Sequence, residues 1–289
     1  MTNKTITPRW YQVEAVAAVW DFIRQNDGNP CVELPTGAGK SIVIARLMLD
    51  TLAWGGRVVL LAHRKELLEQ TAEKIEALEP SIDVGVFSAG LKRRDTKHDV
   101  LAAGIQSVRD RVCGDDHILN QICYSVGVKT LISQGYLCPL TSKATAAKCG
   151  VDGVSIRGGE FVAGELQTRL VGDAALVSAT CEEIWKRAAD RKAILIFTSG
   201  VQHGEMVRDE LLKKTNSVEF LDGETDADKR AKILKAFRKG RLRFLVNVDV
   251  LTTGFDSPNV DCVAMLRPTL SPGLYYQMVG RGFRLHDKK

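Results

Sequence analysis

Short apolar runs alternate with amphipathic stretches along most of the chain. Cys31 to Leu34, Val58 to Ala62 and Val84 to Phe87 are apolar segments of strand length. Between the second and third, Leu67, Leu68, Thr71, Ile75 and Leu78 recur at helical spacing, which predicts a helix from Lys65 to Leu78. The alternation resumes further on. Strands are expected at Ala193 to Phe197, Val218 to Leu221, Phe244 to Val248 and Val260 to Leu266, with helices at His203 to Lys214 and Asp226 to Arg238. Strand, helix, strand is the signature of a parallel sheet covered by helices, so the pattern predicts two α/β units. Thr141 to Gly172, rich in Gly, Ala, Ser and Thr and weak in periodicity, reads as the connection between them.

Composition narrows the class. With 289 residues, 45% apolar and 26% charged, the chain is long enough for two globular domains. No apolar run approaches the ~18 residues of a membrane span, and Met1 to Arg9 is polar with no apolar core after it, so a cytoplasmic protein without a membrane is expected. Seven scattered cysteines without a Cys-x-x-Cys pair read as reduced thiols. The net charge is +5, and from Val201 onward 16 basic residues stand beside 12 acidic ones, a mild bias that suits a polyanion partner.

The sharpest chemistry lies in Pro35-Thr36-Gly37-Ala38-Gly39-Lys40-Ser41, between an apolar strand and a helical pattern from Ile42 to Leu52. Glycines let a loop curl so that its N–H groups face phosphate oxygens, and the following helix adds positive potential. Lys40 can then reach the terminal phosphates, and the Ser41 hydroxyl can bind Mg²⁺. Leu34 stands where the longer form of this loop has its first glycine, so the match is to the shorter T-G-x-G-K-S form.

With this loop in place the chain resembles the superfamily 2 DNA and RNA helicases of DEAD/DEAH type, near phage repair helicases and type III restriction subunits. Their core is two RecA-like lobes closing on ATP. Arg9-Trp10-Tyr11-Gln12 is similar to the adenine-reading segment, with Gln12 on the base edge and Arg9 stacking. Ala62 to Leu67 resembles motif Ia and Gly104 to Val108 the next strand-contacting segment. Ile194 to Ser199 resembles motif IV, Asn247 to Asp256 motif V, and Gln277 to Arg284 motif VI. The resemblance implies that Arg281 and Arg284, aligned with Gln277, act on the γ-phosphate as catalytic groups together with Lys40. It implies that Gly254 and Asp256 join Arg9, Gln12 and residues 36–41 in binding the nucleotide. His63, Arg64, Gln106, Thr198, Thr252 and Thr253 are the implied grip on a nucleic-acid backbone. ATP and Mg²⁺ are the implied cofactors, and Gln277 at the head of motif VI favours DNA, single- or double-stranded, over RNA.

Motif II, an apolar strand ending in Asp-Glu, and motif III are not where this family has them. Only Arg109 to Gln134 lies between Val108 and Gly135-Tyr136-Leu137, which resembles the first-lobe exit, and two strands with a helix do not fit. Asp115-Asp116-His117 follows Arg109 to Cys113, too charged for a buried strand. Val177-Ser178-Ala179-Thr180 spells motif III but lies beyond the exit, and Ser178 or Thr180 is expected to cap a helix there. The expected fold is therefore α/β, two RecA-like parallel-sheet lobes in tandem, the first lacking strands and the second C-terminally short. The expected boundaries are 1–140 for the ATP-binding lobe, 141–172 for the connection and 173–289 for the second lobe. Loss of two central strands would leave a gap of about 10 Å in the first sheet. The expected activity is ATP-dependent helicase or translocase; a remnant that binds ATP and nucleic acid without turnover is the alternative.

Overall fold

A computed structural model describes residues 7–62, 65–104, 121–143, 145–147, 150–252 and 255–286. The chain divides into two compact units, Met1–Ser133 and Gln134–Lys289. Both are mixed α/β with parallel sheets, as the alternating pattern requires. Among the described residues no helix is long and apolar enough to cross a membrane.

The first unit runs α1 (Trp10–Gln25), β1 (Pro30–Glu33), α2 (Lys40–Ala53), β2 (Val58–Ala62), α3 (Lys65–Leu78), β3 (Val84–Ser88), β4 (Arg93–Arg94), β5 (Val100–Gly104), β6 (Gln121–Ser125) and α4 (Val128–Ser133). Helix α1 buries Tyr11, Ala15, Val19 and Phe22, positions three or four apart that form one stripe. In α3 the same logic buries Leu68, Ala72 and Ile75 against Val84, Val100 and Ala102. The strands form two sheets, one of order β1-β6 and one of order β2-β5-β3-β4; all pairings are parallel except β3 with β4. Helix α2 packs against α1, α3 and β2, and α1 in turn packs against β1 and β6. Among the described residues β1 pairs only with β6 and β2 only with β5. Val59 of β2 is 51% exposed and Ile122 of β6 is 59% exposed.

The second unit begins with a small hairpin, β7 (Ile156–Arg157) with β8 (Glu160–Phe161), then α5 (Ala163–Val171) and α6 (Ala174–Arg187). There follow β9 (Ile194–Phe197), α7 (Val201–Leu212), β10 (Val218–Leu221), α8 (Ala227–Arg238), β11 (Phe244–Asn247), β12 (Cys262–Met265) and α9 (Pro272–Val279), which runs into a 3₁₀ turn at Gly280–Gly282. The sheet order is β10-β11-β9-β12, parallel throughout. Its central strands read as unbroken apolar runs because both faces are covered. Leu195, Phe197 and Leu245 pack with Phe237 and Ile233 of α8, while Ile194, Ile196 and Val246 pack with Val207 of α7 and Val177 of α6.

Local chemistry sets the helix ends. The Asp226 carboxylate accepts from the Asp228 and Lys229 amides to cap α8, and Ser271 caps α9 ahead of Pro272. The cap expected at Ser178 or Thr180 is not there. Asp173 accepts from Leu176 N and starts the helix earlier, so both residues lie inside α6, where the Thr180 hydroxyl donates to Leu176 O. The last strand is shorter than expected, since Val260 is buried in the loop before Cys262.

Candidate nucleotide and nucleic-acid sites

In the first unit the loop between β1 and α2 turns on two glycines in the left-handed region, Gly37 at φ 90° and Gly39 at φ 79°. Gly39 opens α2 with no side-chain cap, and Ile42 N bonds back to Gly39 O at 2.9 Å, so the positive end of the helix dipole lies at the loop. A Cβ at Gly39 would stand 2.6 Å from Gln12 Nε2, so the position also needs glycine for space. Behind the loop, Ala38 is fully buried, and its carbonyl accepts from Tyr11 Oη at 3.0 Å and Gln12 Nε2 at 2.9 Å. Gln12 Oε1 in turn accepts from Arg9 N at 2.8 Å, and Arg9 Nη1 donates to Tyr11 Oη at 3.1 Å. The start of α1 thus braces the loop, and Tyr11, which the motif reading passed over, is part of the brace. Lys40 Nζ donates to Pro35 O at 3.2 Å, back across the loop, and Ser41 is the second residue of α2.

These features fit a nucleotide triphosphate: a curled backbone, an uncapped helix start and one ammonium. For Mg²⁺ the described donors offer the Ser41 hydroxyl; Mg²⁺ keeps waters and takes phosphate oxygens as further ligands. Among the described residues no group of three or more His, Cys, Asp or Glu side chains is placed to hold a metal. His63, Arg64, Gln106, Asp115, Asp116, His117, Thr253 and Gly254 lie outside the described residues.

In the second unit the expected residues gather past the carboxyl ends of β9 and β11. Thr198 is buried, and its N and Oγ1 both donate to Asn247 O. Asn247 stitches the loop to the sheet, with Nδ2 donating to Ile196 O at 2.9 Å and Oδ1 accepting from Leu251 N. The Thr252 hydroxyl donates to Asp249 O at 3.2 Å, so both threonine hydroxyls have internal partners. His203 Nδ1 accepts from Ser199 N, which needs the neutral ring, and burial lowers the His203 pKa to about 4.

Arg281 and Arg284 come together with the 252–256 loop. Arg281 is only 8% exposed; Nη1 donates to Phe255 O at 2.5 Å and Nη2 to Thr252 O. Burial, reinforced by the charge of Arg284 and opposed by Asp256, lowers its pKa to about 10, so it stays cationic at neutral pH. Arg284 pairs with Asp256, whose carbonyl also accepts from Arg238 Nε at 3.0 Å. Gln277, one turn before Arg281, is exposed on α9. The spacing of motif VI predicted one face for Gln277, Arg281 and Arg284, whereas Gln277 is exposed and Arg281 is buried. It did not reveal that carbonyls of motif V hold one of them.

Residues 5–123 match the family model described as type III restriction enzyme, res subunit, and residues 175–286 the model described as helicase conserved C-terminal domain. The putative ATP-dependent helicase IRC3 of Saccharomyces cerevisiae is 22% identical over 348 residues, which cover 97% of this chain and 50% of the yeast protein. The 51.5 kDa protein of a Lactococcus phage (isolate 7-9) is 26% identical over 294 residues, covering 89% of this chain and 63% of the phage protein. The chain thus spans about half to two thirds the length of these relatives. Since 97% of 289 residues is about 280, about 68 positions of the 348-position yeast alignment have no residue of this chain opposite them. Among solved structures, the fragment of a putative HsdR subunit of a type I restriction enzyme from Vibrio vulnificus YJ016 superposes with a TM-score of 0.68. It shows 17% identity and covers 97% of this chain and 61% of that one.

Proposed function

The chain belongs to the superfamily 2 helicases, and from that premise we propose that it is an ATP-dependent helicase or translocase acting on DNA in the cytoplasm. The observation that carries the nucleotide half is the loop at 36–41, with its two left-handed glycines leading into the uncapped start of α2. In this reading Thr36, Gly37, Ala38 and Gly39 wrap the phosphates, Lys40 neutralises the terminal ones, and Ser41 holds the Mg²⁺ that shields their charge. Arg9 and Gln12, already tied to the loop, take the base, and the family resemblance assigns Gly254 and Asp256 to nucleotide binding as well. Arg281 and Arg284 stabilise charge on the transferred phosphoryl group, a role worth about 10³ to 10⁵ in rate in other phosphoryl-transfer systems. His63, Arg64, Gln106 and Thr253 grip the strand, while Thr198 and Thr252, buried with their hydroxyls donating to Asn247 O and Asp249 O, hold the loops in shape instead of touching it themselves. DNA over RNA is supported by Gln277 and by the likeness to restriction and phage proteins.

One observation favours a second reading, a protein that binds ATP and DNA but turns ATP over slowly or not at all. The first unit's strands lie in two sheets, with β1 and β2 each bonded along one edge among the described residues. The resemblance places the metal-binding acidic strand between those edges. Only 16 residues separate β5 from β6. Parallel strands need crossovers of about a dozen residues each, so two more strands do not fit there. The relative's extra positions in the alignment agree with this reading.

The deciding measurement pairs a fluorescent ATP analogue with a phosphate-release assay, each with and without single-stranded DNA. DNA-stimulated turnover lost in Lys40→Ala supports the motor, and binding without turnover supports the second reading. ATP affinity unchanged in Lys40→Ala removes the loop from both.

A further inference from the structure

The second unit holds a cavity of about 430 Å³ that none of the motifs accounts for. Most of its lining is apolar: Leu170 of α5, Leu176 and Val177 of α6, Val207 of α7, Met265 at the end of β12 and Leu266 just beyond it. Leu170, Val177 and Val207 are buried, so the cavity opens out of the core on the face of the sheet that α6 and α7 cover. Its walls are tied down. Glu183 of α6 accepts from Ala146 N at 3.0 Å and from Ala147 N at 3.2 Å, which holds the 145–147 stretch in place. Glu160 accepts from the Thr269 hydroxyl and from Leu270 N at 3.1 Å, which fixes the segment after β12. Thr145 and Tyr275, the exposed members of the lining, mark the mouth.

The polar side chains of the interior are spent, with one exception. The Thr145 hydroxyl donates to Ala147 O, the Thr180 hydroxyl to Leu176 O and the Thr269 hydroxyl to Glu160, and Arg267 is paired with Asp249. The exception is His203, 3% exposed. Its Nδ1 accepts from Ser199 N at 3.3 Å, so the neutral ring carries its proton on Nε2. Ser199 follows β9 and does not line this cavity, so Nε2, on the side of the ring away from it, is the nitrogen that faces in. Among the described residues nothing accepts from Nε2, and the atom is not sealed off by protein. A donor left in that state forfeits the hydrogen bond it had in water. Trapped water repairs the loss poorly, because a buried water needs about two to four polar partners and the described interior side chains offer this one.

We propose that this cavity is the binding site of a small, neutral, largely apolar molecule that turns one hydrogen-bond acceptor toward His203 Nε2. Its volume falls within the range of small-molecule pockets, about 300–1,000 Å³, and an apolar wall with one directed polar group is their usual make-up. Neutrality follows from the lining. Its one described cation, Arg267, already has a carboxylate, and an ammonium would bring a second donor to face the Nε2 proton. Displacing loosely held water from such a wall favours the ligand. Once seated, the molecule touches α6, α7 and the end of β12 together, and so stabilises the second unit by mass action. The site stands apart from the nucleotide and nucleic-acid readings above and adds to them a regulatory ligand.

The test sets two probes of nearly one shape against the whole chain: acetophenone, which carries a carbonyl, and ethylbenzene, which carries no acceptor. Titrations are followed by ¹H–¹⁵N NMR, with the ring nitrogens observed in a ¹⁵N-histidine sample. Fragments of this size bind well-formed pockets at about 1 mM or tighter. Both probes are expected to shift the amides of residues 176–180, 203–207 and 265–269, and acetophenone alone to shift the His203 Nε2 resonance. His203→Phe should weaken acetophenone by about two- to tenfold, the worth of one hydrogen bond, and leave ethylbenzene within about twofold. Leu176→Trp, which fills the cavity from α6, should weaken both probes by about tenfold or more. Lining amides that ignore both probes at millimolar concentration overturn the proposal, as does unchanged binding in Leu176→Trp. An effect of His203→Phe that is the same for the two probes overturns it too. Should His203→Phe fail to fold by thermal melt, the wild-type Nε2 resonance decides: a shift with acetophenone alone supports the site, and no shift, or the same shift with both probes, overturns it.

Discussion

The two sheets of the first unit make a prediction that amide hydrogen exchange can read residue by residue. In β2, Val58 N donates to Asp99 O at 2.8 Å, toward β5. The period of two then turns Leu60 and Ala62 to the same edge, and Val59 and Leu61 to the other, where no strand pairs among the described residues. In the second unit β9 lies between β11 and β12, and its four residues are 0–1% exposed, so its amides are bonded on both edges. Those amides exchange only when the unit opens as a whole. An opening cost of about 5 kcal/mol, at 1.4 kcal/mol per tenfold, gives protection of about 10³ to 10⁴ or more. Among the described residues Val59 and Leu61 have no ladder partner, so they are expected within about tenfold of unstructured rates, with Leu60 in between. Native-state exchange followed by NMR at neutral pH separates the classes. Protection of Val59 and Leu61 equal to that of Leu195 would refute the reasoning, because it requires something to cover that edge.

Three further outcomes follow from the geometry. Gly39→Ala places a Cβ 2.6 Å from Gln12 Nε2 on a left-handed backbone, so stability should fall by about 1–2 kcal/mol and ATP affinity by about tenfold; a nucleotide titration showing neither contradicts the loop's role. Arg281→Ala leaves the Thr252 and Phe255 carbonyls without their buried donor, a cost of about 1–3 kcal/mol in urea melts, whereas Arg284→Ala breaks a partly exposed pair worth about 1 kcal/mol or less; equal effects would count against the burial argument. His203 has a folded pKa of about 4 against 6.5 for the free side chain, so its contribution is complete above pH 6.5 and is lost as pH falls through 4. Relative to His203→Gln, the wild type should lose about 2 kcal/mol between pH 6.5 and 5, and parallel stability curves for the two proteins would contradict this.

What the sequence disclosed follows from where each structural determinant lies. β9 and β11 are read to within one residue because strands covered on both faces must be nearly continuously apolar, and β10, an edge strand carrying Glu219 with Val218 and Leu221 buried at its ends, is read to the residue. The phosphate loop is equally plain, since its glycines act on their own backbone. Ser178-Ala179-Thr180 before Glu182 imitates a capping box, yet Asp173 starts the helix, and Val177 and Cys181 continue its buried stripe through the imitation. The 156–171 segment signals weakly because its strands are two residues long, its nine-residue helix buries two positions, Leu166 and Leu170, and its anchor is Glu160 on residues 269–270, more than 100 positions away. The partition of the first unit into two sheets is likewise a matter of non-local pairing, on which no single segment carries a signal.

The same distance in sequence hides how the motifs of the second unit are joined. Arg267 pairs with Asp249, the Asp249 carbonyl accepts from the Thr252 hydroxyl, and the Thr252 carbonyl accepts from Arg281. Three contacts therefore run in series from Arg267, just past the end of β12, to the arginine of motif VI through the four residues 249–252. Thr252 and Arg281 are buried, so little water is at hand to replace a bond broken there. Rotation of the Asp249 side chain alone breaks its pair with Arg267 and leaves Arg281 untouched, whereas a shift of the 249–252 backbone carries the Thr252 carbonyl and with it the bond to Arg281. The series is tested by a double-mutant cycle in urea melts: Asp249→Asn combined with Arg281→Lys should depart from additivity by more than about 0.5 kcal/mol, and additive effects would show the two ends to be energetically independent.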